Sequence, residues 1–114
     1  MRTIIAGTRS LEMDGILPLL LRNFTDWQIT EVVSGNSGNV DKAGEDWALT
    51  NKIPVSQFNA AWQTYGSSAG PRRNRQMAAY AEALICVWDG KSRGTFNMIK
   101  EAQKRGLKIK VFEL

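Results

Sequence analysis

The feature that most constrains the fold of this chain is a regular alternation of short apolar segments with longer segments of helical periodicity. Five segments rich in β-branched and apolar residues are typical of buried strands: residues 2–6, 29–33, 54–58, 84–88 and 107–112. Amphipathic helical patterns lie between them. Because strands that alternate with helices form a mostly parallel sheet with right-handed crossovers, the sequence predicts an α/β domain with helices on both sheet faces.

The predicted helices, about four in number, carry recognisable start and stop residues. Asp14 is expected to cap the first helix, and Asp41 lies in the first turn of the second. Gly70 and Pro71 predict the start of the third helix, and Gly106 the end of the fourth. The expected apolar faces comprise Ile16, Leu19, Leu20 and Phe24; Val40, Ala43, Trp47 and Ala48; Asn74, Met77, Ala78 and Ala81; and Ile99 and Ala102. The whole pattern is typical of a Rossmann-like, doubly wound, mostly parallel five-stranded sheet.

Length and composition exclude several classes of protein. The 114 residues fit one domain, spanning residues 1–114. The chain shows no signal-peptide pattern and no apolar run near the roughly 20 residues of a membrane span, so we expect a cytoplasmic protein without a membrane partner. One cysteine and no histidine predict no disulfide and no metal site, and we expect no cofactor. A net charge of +4 favours anionic partners.

The four connections at the predicted carboxyl edge of the sheet are rich in glycine, hydroxyl and arginine residues. The predicted ligand- and phosphate-binding residues are Gly7, Thr8, Arg9, Ser34, Gly35, Gly38, Asp41, Arg73, Asn74, Asp89, Gly90, Ser92, Arg93, Gly94 and Thr95. Glycine allows close backbone approach, and helix N-termini present free amides to an anion. Six cations lie in or beside these connections: Arg9, Arg72, Arg73, Arg75, Lys91 and Arg93. This asymmetry predicts one shared anionic ligand, although each glycine-rich segment also suits a tight strand-to-helix turn.

The connection of residues 59–70 is longer than usual and carries two aromatic rings. Trp62 or Tyr65 is placed to stack on a base, although packing of the loop onto the domain surface is the favoured role for each ring. Asn74 lies on an apolar helix face and therefore needs hydrogen-bonding partners, which a ligand or a neighbouring loop would supply. The GKS at residues 90–92 lacks the upstream glycine of a Walker loop.

Four motifs occur in a characteristic order: GTRS, SGNSGNVD, AGPRRNRQM and WDGKSRGT. Together they resemble the YspA-like (cpYpsA-related) branch of the SLOG superfamily over nearly the whole chain. The resemblance implies a Rossmann-like domain that binds nucleotides or nucleotide-derived signals, often in bacterial or phage conflict systems. The matching positions are Gly7, Arg9, Gly35, Gly38, Asp41, Gly70, Pro71, Arg73, Asn74, Asp89, Gly90, Ser92, Gly94 and Thr95.

This sequence departs from the related families at two places. Asn36 and Asn39 stand where relatives more often have glycine or another small residue, which narrows or reshapes that loop. Related Lonely Guy phosphoribohydrolases and nucleoside deoxyribosyltransferases place a catalytic glutamate just after a similar Gly-Thr pair, where this chain has Asn97 and Met98. Neither side chain supplies negative charge to a glycosidic transition state. The usual catalyst is therefore missing.

Three functions are compatible with these residues. The first is a sensing or sequestering module, in which the second and fourth connections hold phosphate while Arg9 and Arg73 neutralise its charge. The second is a nucleotide N-glycosidase or phosphoribohydrolase with Asp41 or Asp89 as its carboxylate, Glu45 being a further substitute. The third is non-specific nucleic-acid binding through the third-helix arginines. It ranks last because the aromatic residues are not interleaved with the basic ones.

Two further expectations concern residues outside the site. A domain this small is expected to form a homo-oligomer, with a dimer as the default, and Trp27, Trp47 and Phe112 are available for an interface. Cys86 lies within an apolar strand and is expected to be an inert core residue.

Overall fold

A computed structural model describes residues 1–114 as three layers, with a five-stranded sheet between two pairs of helices. The strands are β1 Arg2–Gly7, β2 Glu31–Ser34, β3 Val55–Gln57, β4 Ala83–Trp88 and β5 Lys108–Glu113. Every neighbouring pair is parallel, in the order β3-β2-β1-β4-β5. The predicted Rossmann-like, doubly wound α/β fold is confirmed, and the sheet is parallel throughout.

Four helices form the predicted crossovers, and a fifth occupies a single turn. They are α1 Ile16–Leu21, α2 Asn39–Thr50, α3 Trp62–Tyr65, α4 Ala69–Tyr80 and α5 Arg93–Lys104. A 3₁₀ turn, Gly66–Ser68, joins α3 to α4. The sequence shows no periodicity over α3 because one turn is too short to establish it. None of these helices has both the length and the apolar character needed to cross a bilayer.

The core forms two apolar layers because successive strand side chains point to opposite faces of the sheet. One layer, beneath α4 and α5, comprises Ile4, Ala6, Val33, Met77, Ala78, Ala81, Leu84, Cys86, Met98 and Ala102. The other, beneath α1 and α2, comprises Ile5, Met13, Leu17, Leu21, Val32, Val40, Ala48, Ile85 and Val87. Burial raises the pKa of the Cys86 thiol to about 12, so this thiol stays protonated, as expected of a core residue.

The first helix differs from its prediction at both ends. Gly15 occupies the N-cap position with φ of 69°, so Asp14 lies one residue too early and does not cap α1. The helix ends before Phe24, which packs beyond it. Leu19, expected on the apolar face, is 62% exposed, whereas Leu17 is fully buried. The six-residue helix is too short for its apolar pattern to define which face turns inward.

The start of α4 and the expected self-association surface also differ from the simplest prediction. Pro71 is the third residue of α4 rather than the first. Its missing N–H removes no helical hydrogen bond there, because the third amide of a helix also lacks an intrahelical partner. Trp27, Trp47 and Phe112 are half-buried against the α1–α2 core layer and form no exposed apolar patch. Homodimerisation stays a prediction.

Candidate functional site

The strand order reverses between β1 and β4, and the loops that leave their carboxyl ends diverge around a cavity of about 680 Å³. Of the predicted site residues, the cavity lining includes Gly7, Thr8, Arg9, Asp41, Trp62, Arg73, Asn74, Ser92, Arg93, Gly94 and Thr95. The lining does not include Ser34, Gly35, Gly38, Tyr65, Asp89 or Gly90. The fold therefore brings residues from four separate connections to one crevice.

The floor of the cavity depends on close backbone packing at two glycines. A Cβ on Gly7 would lie 2.1 Å from the carbonyl oxygen of Val87 in β4. A Cβ on Gly38 would lie 2.7 Å from Cα of Arg9, whose carbonyl accepts the Asn39 amide at 3.0 Å. Both glycines therefore allow close backbone packing in their turns. This is the role expected of glycine in a tight strand-to-helix turn, the alternative to a role in phosphate binding.

Arg73 is the central cation of the cavity, although its side chain is only 8% exposed. Its Nη1 donates to the Gly35 carbonyl at 2.7 Å, and its Nε donates to Oδ1 of Asn74 at 3.0 Å. Gly35 leaves room for the guanidinium, since a Cβ there would lie 2.8 Å from Nη1. Burial lowers the pKa of Arg73, and the charge of Asp41 opposes that shift. The Nη2 donors make no hydrogen bond within the chain.

Asn74 connects α4 to the beginning of α5. Its Oδ1 accepts from Arg73, and its Nδ2 donates to the Gly94 carbonyl at 3.3 Å and to Oδ1 of Asn97 at 2.9 Å. The acceptors for this buried amide nitrogen therefore lie in the first turns of α5, rather than in the neighbouring loop or the ligand that the sequence offered as alternatives. The Asn97 side chain thus has a structural role, because its Oδ1 accepts a hydrogen bond from Asn74.

The N-terminus of α5 presents two free amides to the cavity. The Ser92 hydroxyl caps the helix by accepting from the Thr95 amide at 3.3 Å. The amides of Arg93 and Gly94 make no hydrogen bond within the chain, and both residues line the cavity. A Cβ on Gly94 would meet no heavy atom within 4 Å, so open space adjoins this helix end.

Asp89 orders the turn before α5 from outside the cavity lining. Its Oδ1 accepts from the amides of Lys91 and Ser92, each at 2.8 Å. These two hydrogen bonds lower the pKa of Asp89, with the Lys91 amide as the larger cause. Gly90, at φ of 80°, completes the turn. The geometry places Asp89 in a structural role rather than beside the cavity.

Asp41 is the carboxylate that the cavity contains. Its side chain is buried, and Oδ2 accepts from both the amide and the hydroxyl of Ser37, each at 2.9 Å. Oδ1 makes no hydrogen bond within the chain. The pKa of Asp41 is raised, chiefly because burial disfavours the charged form, while the Ser37 hydrogen bonds and the charge of Arg73 partly oppose the shift.

Glu45, the other candidate carboxylate, serves the sheet instead. Its Oε2 accepts from the Ser34 hydroxyl at 2.6 Å and from Gln57 at 2.9 Å, which joins the ends of β2 and β3. Asn36, one of the two departures from related sequences, has φ of 51° and donates from its side chain to Asn59. An asparagine tolerates this left-handed conformation better than most residues.

Each of the two predicted stacking rings pairs with an arginine. Trp62 lines the cavity, and the Arg9 guanidinium lies 5.6 Å from its ring centre. Tyr65 lies outside the lining, with Arg72 over its ring at 4.2 Å. Basic and aromatic residues are not interleaved along the chain, which is why nucleic-acid binding ranks last among the functions expected from the sequence. In the folded chain, however, Arg9 lies beside Trp62 and Arg72 lies beside Tyr65, so basic and aromatic residues are neighbours in the structure.

The cavity also contains residues that the sequence did not select. They include Ser10, Ser37, Ser67 and Asn97. Ser37 carried a usable signal, because a hydroxyl four residues before a first-turn carboxylate is placed to bond it. Ser10 and Ser67 carried none, since they reach the cavity only through the folding of their loops.

Replacing Asp41 by asparagine is expected to stabilise the fold more at pH 7 than at pH 4. Because burial raises its folded pKa above the ordinary 3.8, the stabilising contribution of Asp41 is full below that value and is lost as pH rises through the folded pKa. Asparagine carries no charge and still offers Ser37 an acceptor. Urea unfolding of both proteins at the two pH values measures the difference, and parallel pH profiles would contradict it.

No family model matches the chain. The gene 61 protein of Mycobacterium phage D29 is 30% identical to it over 84 residues, covering 68% of this chain and 67% of the phage protein. The chain belongs to the family of this phage protein. This relative comes from a phage, which is consistent with the bacterial or phage setting that the YspA-like resemblance implies.

A solved structure shows the same fold in a larger protein. DNA processing protein A (DprA) from Streptococcus pneumoniae superposes with a TM-score of 0.72 and 17% sequence identity, over 96% of this chain. The chain spans about half the length of DprA, 49% of that protein. The likeness supports the Rossmann-like architecture, while the YspA-like branch assignment stays a prediction.

Proposed function

We propose that this chain binds a phosphate-bearing, nucleotide-derived ligand in the carboxyl-edge cavity, as a sensing or sequestering module. One observation carries the proposal: the free amides of the α5 N-terminus and the free donors of buried Arg73 line the same cavity. The motifs that resemble the YspA-like SLOG branch support a nucleotide as the ligand class. The fold shared with a DNA processing protein supports the same class.

The phosphate is assigned to the N-terminus of α5. Two unpaired amides, those of Arg93 and Gly94, combine there with the positive end of the helix dipole. A Cβ on Gly94 would meet no heavy atom within 4 Å, so open space for a phosphate oxygen adjoins this helix end. The Ser92 cap and the Asn74 bond to the Gly94 carbonyl hold this helix end before the ligand arrives.

Arg73 supplies the second phosphate contact. Two of its nitrogens are held by Gly35 and Asn74, so the guanidinium does not have to be ordered by the ligand. Charge-assisted bonds from a fixed guanidinium to phosphate are shorter and about twice as strong as neutral hydrogen bonds. Arg9 and Arg93, both exposed at the cavity, add positive charge without such fixed geometry.

The remaining cavity suits a sugar and a base. Asp41 Oδ1 is a free acceptor for a sugar hydroxyl, while Oδ2 is held by Ser37. Trp62, which is 47% exposed, provides an aromatic face in the lining of the same cavity. The volume of about 680 Å³ lies within the usual range of small-molecule sites, roughly 300–1,000 Å³.

A thermal-shift series tests the proposal directly. Nucleoside monophosphates, diphosphates and ADP-ribose are compared with the corresponding nucleosides and ribose, which lack phosphate. A ligand at about 100 times its dissociation constant should raise the melting temperature by on the order of 10 °C. The phosphate-free compounds should give much smaller shifts. Equal shifts for phosphorylated and unphosphorylated compounds would overturn the phosphate site.

Gly94→Ala is expected to weaken binding of the selected nucleotide by about 10-fold or more while leaving the fold intact. The added methyl group meets no protein atom but occupies the space beside the two free amides. Losing one charge-assisted contact accounts for the reduced affinity. Calorimetry gives the dissociation constant, and urea unfolding should stay within about 1 kcal/mol of wild type. Gln103→Ala, exposed on the same helix, is the control, and its affinity should not change.

A second candidate function is hydrolysis of an N-glycosidic bond, which the placement of Asp41 favours. This carboxylate is buried in the cavity and has one oxygen free to approach a sugar carbon. Incubation with the selected nucleotide followed by chromatography would detect released base. If hydrolysis occurs, Asp41→Asn should bind the nucleotide and release no base. If no nucleotide loses its base, the binding module remains the function.

A further inference from the structure

The single-turn helix α3 displays two rings at the rim of the cavity. Trp62 and Tyr65 are each 47% exposed and lie three residues apart, so they share one helix face. Trp62 lines the cavity, and Ser67, just beyond Tyr65, lines it as well. Tyr65 itself lies outside the lining. A ligand confined to the cavity therefore reaches Trp62 and leaves Tyr65 unused.

The segment that carries these two rings, residues 59–81, is basic and contains no carboxylate. Residues 59–81 include three arginines and neither aspartate nor glutamate. Arg9 lies over the ring of Trp62, and Arg72 lies over the ring of Tyr65. Each aromatic side chain thus has an exposed guanidinium beside it, which suits a base on the ring and a phosphate on the arginine.

Hydrogen bonds of Ser68 connect the backbone at Tyr65 to the side chain of Arg72. The Ser68 hydroxyl donates to the Tyr65 carbonyl at 2.9 Å and accepts from Arg72 Nε at 3.2 Å. These bonds join the end of α3 to the start of α4. They also hold Arg72 beside the end of α3, where its guanidinium lies 4.2 Å from the centre of the Tyr65 ring.

We infer that the ligand is a single-stranded oligonucleotide whose phosphorylated terminal nucleotide occupies the cavity and whose next nucleotide binds Tyr65 and Arg72. This inference rests on the proposed function for its first nucleotide. The second nucleotide stacks on the Tyr65 ring, and its phosphate contacts the Arg72 guanidinium. Single strands bind to such aromatic and basic tracks largely without sequence choice.

Calorimetry with two matched series of compounds tests the inference. One series is the four deoxynucleoside 5′-monophosphates, and the other is the 5′-phosphorylated homotetranucleotides of the same bases. The tetranucleotide of the preferred base should bind about 10-fold more tightly than its monophosphate. Its affinity should also fall more steeply with salt, by about 0.7 in the logarithmic slope for each further phosphate contact.

Variants at the rim separate the second nucleotide from the first. Tyr65→Leu should weaken the tetranucleotide by about 10-fold and leave the monophosphate unchanged, while Tyr65→Phe should retain wild-type affinity for both. Arg72→Gln should reduce the tetranucleotide salt slope by about 0.7. Tyr80→Leu is the control, because Arg2 lies over the Tyr80 ring in the same way at the opposite sheet edge. It should change neither affinity.

The outcomes distinguish this inference from the proposed function. Equal affinity for monophosphate and tetranucleotide, or equal losses of both in Tyr65→Leu, would overturn the oligonucleotide and leave the cavity site standing. Tight binding of a duplex of the same length would also overturn it. Binding of tetranucleotides with no measurable binding of any monophosphate would also overturn it, because the first nucleotide of the inference depends on the cavity site. Absence of binding in both series would overturn the oligonucleotide, and the thermal-shift series with diphosphates and ADP-ribose would then decide the proposed function.

Discussion

Gly7→Ala is expected to lower the free energy of unfolding by about 3 kcal/mol, a large fraction of the stability of a typical small domain. The added Cβ would lie 2.1 Å from the Val87 carbonyl oxygen and 2.8 Å from a methyl group of Val40. The Val87 carbonyl belongs to the backbone of β4, and Val87 is the residue paired with Gly7 in the sheet. Its oxygen also accepts a hydrogen bond from the Thr8 amide. Because no rotamer relieves this overlap, the two strands have to separate locally. Urea unfolding followed by circular dichroism measures the change.

Gly94→Ala supplies the matched comparison for this result. It adds the same methyl group at another glycine of the cavity, but in open space. We expect Gly7→Ala to lose stability and Gly94→Ala to lose affinity. If Gly7→Ala unfolded at the wild-type urea concentration, the close approach of β1 to β4 would be refuted.

The architecture was predictable because local patterns and the global fold agree. The strands are runs of β-branched and apolar residues, and the alternation in β4 assigns Leu84 and Cys86 to one core layer and Ile85 and Val87 to the other. Parallel connection through helices then limits the topology to a small set. The boundaries were less predictable. Gly15 takes the cap position expected of Asp14, since a left-handed glycine satisfies the chain geometry without a side-chain acceptor.

The chemistry of the site was only partly predictable, because its decisive contacts join residues far apart in the chain. The arginine run of α4 is visible in the sequence, but the sequence does not show which arginine is buried. Arg73 is selected because its guanidinium fits against Gly35, 38 positions earlier, where no Cβ intervenes. The pairing of Arg9 with Trp62 likewise depends on the approach of two separate loops. Residue type predicted the candidates, whereas tertiary packing assigned their roles.

Arg73→Met is expected to weaken binding of the selected nucleotide by at least about 100-fold. Methionine fills much of the same space but offers no donor to phosphate. The variant also leaves the Gly35 carbonyl and Asn74 Oδ1 without the donors they have in the wild-type protein. We therefore expect the free energy of unfolding to fall by about 2–4 kcal/mol. Calorimetry at a temperature where the variant is folded, together with urea unfolding, measures both effects.

Arg75→Met separates this local role from the general charge of the helix. Arg75 lies two residues further along α4, is exposed, and forms only a loose ion pair with Glu101 at 4.0 Å. Its removal changes the net charge equally, but both binding and stability should stay close to wild type, within about 0.5 kcal/mol for unfolding. If the two variants lost affinity to the same extent, long-range attraction by the basic helix would explain binding. A loss confined to Arg73→Met assigns recognition to the one guanidinium that Gly35 and Asn74 hold against the cavity.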